Sequence, residues 1–419
     1  MTLVVQKFGG TSVADADRIR AVADHVVRTR RRGHDVVVVV SAMGRTTDDL
    51  LELAHRISPD PPARELDMLI SAGERISMSL LCMAISDLGE PAASFTGSQA
   101  GIVTDTTHGK AKILEIRADR VREAVAAGKV VVVAGFQGVS TDKEVTTMGR
   151  GASDLTAVAL ASALGADVCE IYTDVTGVYT ADPRIVPDAR RLKSVAYEEM
   201  LEMAATGGRV LAARSVEYAR NHGVTLHVRS SFTWEPGTWV KGEELVEKAI
   251  ISGVTHDTSE AKVTVVGVPD RPGIAARLFR ALADEAVNVD MIEQNVSVHG
   301  LADISFTFPK ADLSVASRVT EEVAVELGAE RVVPDADIAR ISLIGAGMKT
   351  HPGVAATMFE TLAEEKVNIE MISTSSIRIS CVVRAPDVER GVRALHRAFQ
   401  LDQLDQLDQL DQVDEESPA

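Results

Sequence analysis

Cysteine is scarce in this chain: Cys82, Cys169 and Cys381 lie far apart in 419 residues and form no Cys-x-x-Cys pair. A disulfide framework and a cysteine zinc site are excluded on that ground. Positive charge is also in deficit, with 44 Lys and Arg against 61 Asp and Glu, a formal charge of −17. That balance argues against a nucleic-acid backbone or an anionic membrane as partner. A local cluster of cations can still bind a nucleotide. Long apolar runs are missing too; the strongest is Val36–Val40, far short of a bilayer span. The N-terminus lacks a basic-then-apolar signal pattern, so the expectation is a cytoplasmic protein.

What is present has the balance of an ordinary globular protein, 45% hydrophobic and 25% charged. A chain of 419 residues exceeds what one core usually serves, so two or three domains are expected. Over the first 230 or so residues, apolar runs alternate with amphipathic stretches. Val36–Val40, Val130–Val133 and Val168–Tyr172 are continuous rather than alternating, which indicates strands covered on both faces. Asp15–Arg32 and Ser153–Leu164 carry helical spacing. Together they predict an α/β domain of three layers around a mainly parallel sheet.

The C-terminal part holds a repeat. Residues 272–292, beginning Pro272-Gly273-Ile274, match 352–372, beginning Pro352-Gly353-Val354, at 12 of 21 positions with an offset of 80. Each copy follows one strand-like run and precedes another, the start of a βαββαβ unit. Two tandem α+β modules are expected, over 261–335 and 336–400, and the repeat leaves room for strands exchanged between them. Trp234–Gly237 reads as a turn and 246–260 as a linker behind a first domain of 1–245. From Leu401 a Leu-Asp-Gln triplet runs four times. Its period of three cannot hold one face of a helix, so 401–419 reads as a disordered tail.

Chemistry concentrates where strands end in glycine. Leu3–Phe8 runs into Gly9-Gly10-Thr11-Ser12, with Lys7 before the glycines. Glycines let backbone N–H groups approach a phosphate and lysine adds a point charge, at the edge where open α/β sheets bind ligands. The order is not that of a Walker loop. Ser71–Arg75 opens a helix, and Glu74 there suits either a ligand ammonium or the helix dipole. Thr146–Asp154 ends a loop and starts a helix, an anion site with Arg150 as a planar fork. Phe95–Gly101 reads as a loop beside the site, and Thr173–Arg184 supplies acids, an aromatic and an arginine after a strand.

Taken in order, Lys7–Ser12, Val39–Gly44, Gly73–Arg75, Phe95–Gly101, Arg150–Asp154, Thr173–Arg184 and the two repeats resemble the aspartate kinases of the amino-acid-kinase superfamily, whose C-terminal repeats are ACT modules. The resemblance implies transfer of a phosphoryl group from Mg-ATP to the side-chain carboxylate of L-aspartate. It implies Lys7, Gly9, Gly10 and Asp154 as the catalytic set, and no metal ligand from the protein, Mg²⁺ being carried by ATP. ATP would lie against Lys7, Phe8, Gly9, Gly10, Thr173, Asp174, Tyr179, Asp182, Arg184 and Arg209. Aspartate would lie against Ser41, Thr47, Glu74, Arg150, Gly151, Ser153 and Asp154.

For the modules the resemblance implies binding of lysine or threonine at Asp270, Ile274, Ala275, Asn288, Asp290 and Gln294. The matching second set is Val354, Ala355, Asn368, Ile369 and Ser375. It also implies a homo-oligomer, a dimer or larger, joined through the modules. The chain departs from the family pattern at Ala152, where Gly is usual, Thr176, where Asp is usual, and Arg209, where Lys is usual. In the modules, Ile274 and Ser376 stand where Glu is usual and Ala355 where Thr is usual. Two of these remove a carboxylate near a site for lysine's ammonium, so the expectation is weakened lysine feedback. Two other readings stay open: an amino-acid sensor whose kinase has decayed, and a kinase for a modified aspartate.

Overall fold

The computed structural model describes residues 2–149, 151–208, 210–242, 251–295, 300–349 and 351–403. The chain divides into two compact units. The first comprises Met1–Val178, Arg191–Ala205 and Arg209–Val246. The second comprises Tyr179–Arg190, Thr206–Gly208 and Glu247–Ala419. Two short segments of the expected 1–245 domain therefore belong to the second unit.

An eight-stranded sheet organises the first unit. Its order is Ser194–Ala196, Thr238–Lys241, Leu226–Ser230, Val168–Thr173, Leu3–Phe8, Asp35–Val40, Val130–Ala134 and Ala92–Phe95. The six strands from Leu226–Ser230 onward are parallel, and Thr238–Lys241 turns back antiparallel through the expected turn at Trp234–Gly237. The valine runs are central because both their faces are covered. Val36, Val38 and Val40 pack with Ile19, Val22 and Val26 of helix Ala16–Arg31 and with Met78, Leu81 and Ile85 of helix Ala72–Asp87. Helix Ala152–Leu164 lies against the strands Leu3–Phe8, Asp35–Val40 and Val168–Thr173. It is buried all round from Ala152 to Ala161, so it shows no polar stripe. A second, four-stranded sheet runs Ile113–Ile116, Ile102–Thr104, Gln137–Ser140, Val145–Thr147.

The second unit holds two four-stranded antiparallel sheets. One is contiguous in sequence: Ile292–Gln294, Leu301–Pro309, Glu260–Pro269 and Arg331–Asp335, with helices Ile274–Asp284 and Leu313–Leu327 packed on it. The other takes Met371–Thr374, Arg378–Arg384 and Ile338–Ile344 with helices Val354–Glu364 and Val388–Ala398, but its fourth strand is Gly253–Asp257. This corrects the reading of 246–260 as a linker in its described part. Gly253–Asp257 pairs antiparallel with Ile338–Ile344 and buries Val254, and five residues that look polar alone become an edge strand once a partner is present. The tail reading is corrected at its first residue: Leu401 is buried in the same core and its N–H donates to His396 O at 3.1 Å. Residues 404–419 lie outside the described residues.

Both repeats turn into their helix through a glycine with positive φ, +98° at Gly273 and +104° at Gly353, a conformation that disfavours any side chain.

Candidate active site

The parallel strands of the first unit end on one edge, and the chemistry-bearing residues gather there. Lys7 is the penultimate residue of its strand, in register with Val39 and Ile171 on either side. Its Nζ lies 2.6 Å from Asp154 Oδ1, with both side chains only about a tenth exposed. Asp154 occupies the first turn of helix Ala152–Leu164, where the dipole favours a carboxylate. The pair thus joins a strand end to a helix start 147 positions apart in sequence.

The glycines follow directly. A Cβ on Gly10 would come within 2.9 Å of Ala42 O and 3.2 Å of Gly44 O, so no side chain fits between the two strand ends. Gly44 N–H donates to Gly10 O at 3.0 Å and Ser41 N–H to Phe8 O at 3.1 Å, which ties the two turns together. Phe8 meets this edge through its backbone alone. Its ring is buried and stacked on Tyr172 at 4.7 Å between centroids.

Glu74 sits 3% exposed in the first turn of helix Ala72–Asp87. Ala42 N–H donates to its Oε1 at 3.2 Å, whereas its buried Oε2 has no hydrogen-bond partner among the described residues. Burial pushes its carboxyl up to about 7, against hydrogen bonds that pull it down. An orphaned buried carboxylate oxygen is costly unless a ligand completes it. Ser41 and Thr47 are half-buried at the end of Asp35–Val40 and in helix Thr46–Ile57. Ser153 is buried beside Gly135, where a Cβ would meet its side chain at 2.8 Å. Gly151 precedes the helix as its cap. Thr173 closes its strand, and its hydroxyl donates to Asp174 at 3.1 Å.

The remaining expected nucleotide residues divide. Tyr179, Asp182 and Arg184 belong to the second unit, where their neighbours Ala181, Ile185 and Val186 enter the core of the second module. Arg184 Nη2 lies 2.6 Å from Asp182 Oδ2, and its guanidinium lowers the Asp182 carboxyl. Arg150 and Arg209 lie outside the described residues.

In the first module a cavity of about 360 Å³ is lined by Asp270, Arg271, Ile274, Ala275 and Gln294 among others. Asn288 is exposed and is not part of that lining, and Asp290 instead pairs with Arg340. In the second module Val354 is a core residue, Ala355 and Ile369 pack against that core, Asn368 is exposed, and Ser375 lies in the hairpin turn before Arg378.

Sequence reasoning missed Asp67, buried in helix Ala63–Ile70, and Arg214 of helix Ala213–His222. Both bind the segment that leads into Gly151–Asp154. The signal for Asp67 was a lone carboxylate within the stretch Leu66-Asp67-Met68-Leu69-Ile70.

Comparison with known proteins accords with this geometry. Residues 2–230 match the amino acid kinase family, and 262–328 and 341–399 each match an ACT domain. The chain is 58% identical over 407 residues to an aspartokinase of Mycolicibacterium smegmatis, covering 96% of this chain and 97% of that one. It is 56% identical to an aspartokinase of Corynebacterium glutamicum with the same coverage. Among solved structures, E. coli aspartokinase III in complex with aspartate and ADP is 27% identical, with a TM-score of 0.81 over 94% of this chain and 99% of that one. The same enzyme with lysine and aspartate gives a TM-score of 0.74 at 26% identity, over 95% and 99%. With a lysine–carboxylate pair at the sheet edge and two ACT modules later in sequence, this chain belongs to the aspartokinases, phosphotransferases of the amino acid kinase family.

Proposed function

We propose that this chain transfers the γ-phosphoryl group of ATP to the side-chain carboxylate of L-aspartate, giving 4-phospho-L-aspartate, the first step towards lysine, threonine and methionine. The buried Lys7–Asp154 pair beside Gly9 and Gly10 carries the reading. A carboxylate acceptor with a pKa near ~4 is already ionised at neutral pH, so no general base is needed. The task is to bring two anions together and neutralise charge on the phosphoryl group in transfer. Lys7 and the Gly10 amide would hold the phosphates, the Gly9 N–H being given to Tyr172 O at 3.3 Å, with Thr173 and Asp174 at the neighbouring strand end. Mg²⁺ would arrive on the nucleotide and spread its charge.

Aspartate would lie with its ammonium against Glu74 and Asp154, beside Ser41, Thr47, Gly151 and Ser153. The ADP and aspartate bound by E. coli aspartokinase III support this division. Arg150, for the α-carboxylate, and Tyr179, Asp182, Arg184 and Arg209, for the nucleotide, are assigned by family pattern. The reading places the enzyme in the cytoplasm as a homo-oligomer joined through its ACT modules.

The cavity at Asp270 and Gln294 is read as an effector site for lysine or threonine. The lysine complex of the E. coli enzyme supports lysine as the class of ligand. Ile274, which lines that cavity and is itself buried in the core of the first module, stands where the family pattern has Glu. Losing a charge-assisted hydrogen bond costs about 1.5–3 kcal/mol, roughly ten- to hundredfold in affinity. Weakened lysine feedback follows. The test is ATP-dependent acyl-phosphate formation, trapped with hydroxylamine, on aspartate and related acids, with and without lysine plus threonine. Turnover on aspartate that ignores lysine supports the whole reading. Half-inhibition by sub-millimolar lysine with threonine removes the feedback part, and turnover on none of the acids removes the kinase assignment.

A further inference from the structure

Two charged side chains from distant helices grip the same pair of segments, 108–111 and 147–148, the second of which lies just ahead of Gly151–Asp154 in sequence. Asp67, 1% exposed, takes hydrogen bonds from Thr147 N–H and Gly109 N–H, each at 3.1 Å. It also accepts from the Thr147 hydroxyl and from His108 Nδ1 at 2.7 Å. Arg214 donates from Nη1 to Met148 O at 3.2 Å and from Nη2 to Ala111 O at 3.0 Å. The two segments are themselves joined, Ala111 N–H donating to Thr147 O at 3.0 Å. A carboxylate therefore takes N–H groups from both segments, and a guanidinium donates to the carbonyls of both.

Burying a charge is costly unless it is hydrogen-bonded, and the buried Asp67 and half-buried Arg214 both spend their hydrogen bonds on the segments 108–111 and 147–148. Thr147 and Met148 precede Gly151 in sequence, the cap of the helix that carries Ser153 and Asp154, and Ala152 N–H donates to Gly149 O at 3.2 Å. Gly151 also lies close to Ala212, two residues before Arg214, since a Cβ added to Gly151 would meet Ala212 Cβ at 2.9 Å.

We infer that Asp67 and Arg214 are positioning residues for the acceptor half of the active site, setting where Ser153 and Asp154 stand before aspartate binds. The inference rests on the proposed role of Ser153 and Asp154 in holding aspartate. Preorganised first-shell groups owe their precision to such supports. No hydrogen bond among the described residues joins either side chain to Gly9, Gly10 or Thr173, so the effect is expected on aspartate rather than on ATP.

The experiment measures KM for aspartate, KM for ATP, kcat and the melting temperature of the full chain for Asp67→Asn, Thr147→Val, Arg214→Ala, Arg214→Lys and Ser153→Ala. Asparagine turns an NH₂ group towards donors that need an acceptor. The expected result for Asp67→Asn and Arg214→Ala is an aspartate KM raised about tenfold, with the ATP KM held within about twofold. Arg214→Lys should resemble Arg214→Ala, because one ammonium does not reproduce a fork across two carbonyls. Thr147→Val removes a single donor and, should Asp67→Asn fail to fold, still reads the clamp with a rise of about threefold. Lower melting temperature and kcat with both KM values unchanged would mean mere structural support and overturn the inference. Ser153→Ala separates the two levels. If it raises the aspartate KM while the clamp variants do not, the clamp alone is wrong. If it leaves that KM unchanged, the underlying placement of aspartate is wrong.

Discussion

Each unit of the molecule contains a buried cation held by carboxylates, and the two arrangements serve different ends. Lys7 stands at the end of a strand, paired with one carboxylate, beside two glycines that keep the backbone bare. Arg340 stands in the middle of Ile338–Ile344, a strand buried at every residue, and is itself 1% exposed. It reaches out of the second module to Glu260 at 2.8 Å and to Asp290 in the first. Lys262–Glu370 and Arg384–Asp335 bridge the same two modules. An ion at a strand end can exchange its partner for a ligand's charge. One in mid-strand, satisfied from two sides, works as a bolt. Position along the strand, more than residue type, separates the binding group from the fastener.

The largest effect that would sharpen the contrast is at Lys7. Lys7→Ala should lower kcat about a thousandfold or more, because the phosphoryl group loses its preorganised cation, measured by the hydroxamate assay. A modest loss would place Lys7 with the bolts. Arg340→Met should leave catalysis in place and cost about 3–5 kcal/mol in stability, since Glu260 is then buried without its cation. Urea unfolding reads this, and adding Glu260→Leu should recover part of the loss. If Arg340→Met is neutral, the bolt carries no load.

Glu74 tests the binding side more finely. Its carboxyl is raised from 4.5 to about 7 by burial, so the folded state holds a proton that the unfolded state has released. Stability tied to this group is complete below pH ~4.5 and declines as pH rises to ~7, by roughly 3 kcal/mol. Glu74→Gln should abolish that decline in thermal unfolding between pH 5 and 8. In the wild type the aspartate KM should rise as pH falls below about 7, as Glu74 loses the charge that attracts the ammonium. The Gln variant should show a raised and flat KM. The smallest effect is at the effector cavity: Ile274→Glu should tighten lysine inhibition about tenfold, read from the lysine concentration at half-activity.

Much of the candidate site was legible because its residues lie close in sequence to features with one meaning. A β-branched run ending in Lys7-Phe8-Gly9-Gly10 allows few structures other than a buried strand and a bare turn. Glu74 and Asp154 were legible as first-turn carboxylates. At Phe8 the backbone and side chain serve opposite ends: its carbonyl meets Ser41 at the edge while its ring stacks on Tyr172 in the core. Asp67 was overlooked because its donors come from residues 108–109 and 147, about 40 and 80 positions away. Gly253–Asp257 read as a linker because a short edge strand acquires its pattern from its partner.

By itself the sequence determined the layered α/β unit, the βαββα course common to the two repeats and the lysine–glycine turn, since each rests on periodicity or on φ and space requirements that act within a few residues. The tertiary structure alone decided that Lys7 meets Asp154 and that Asp67 and Arg214 hold the same backbone. It alone decided that the second module completes its sheet with a strand lying before the first. Those outcomes depend on where buried ions find partners and where sheet edges find cover, and both are set by packing between segments that local sequence does not relate.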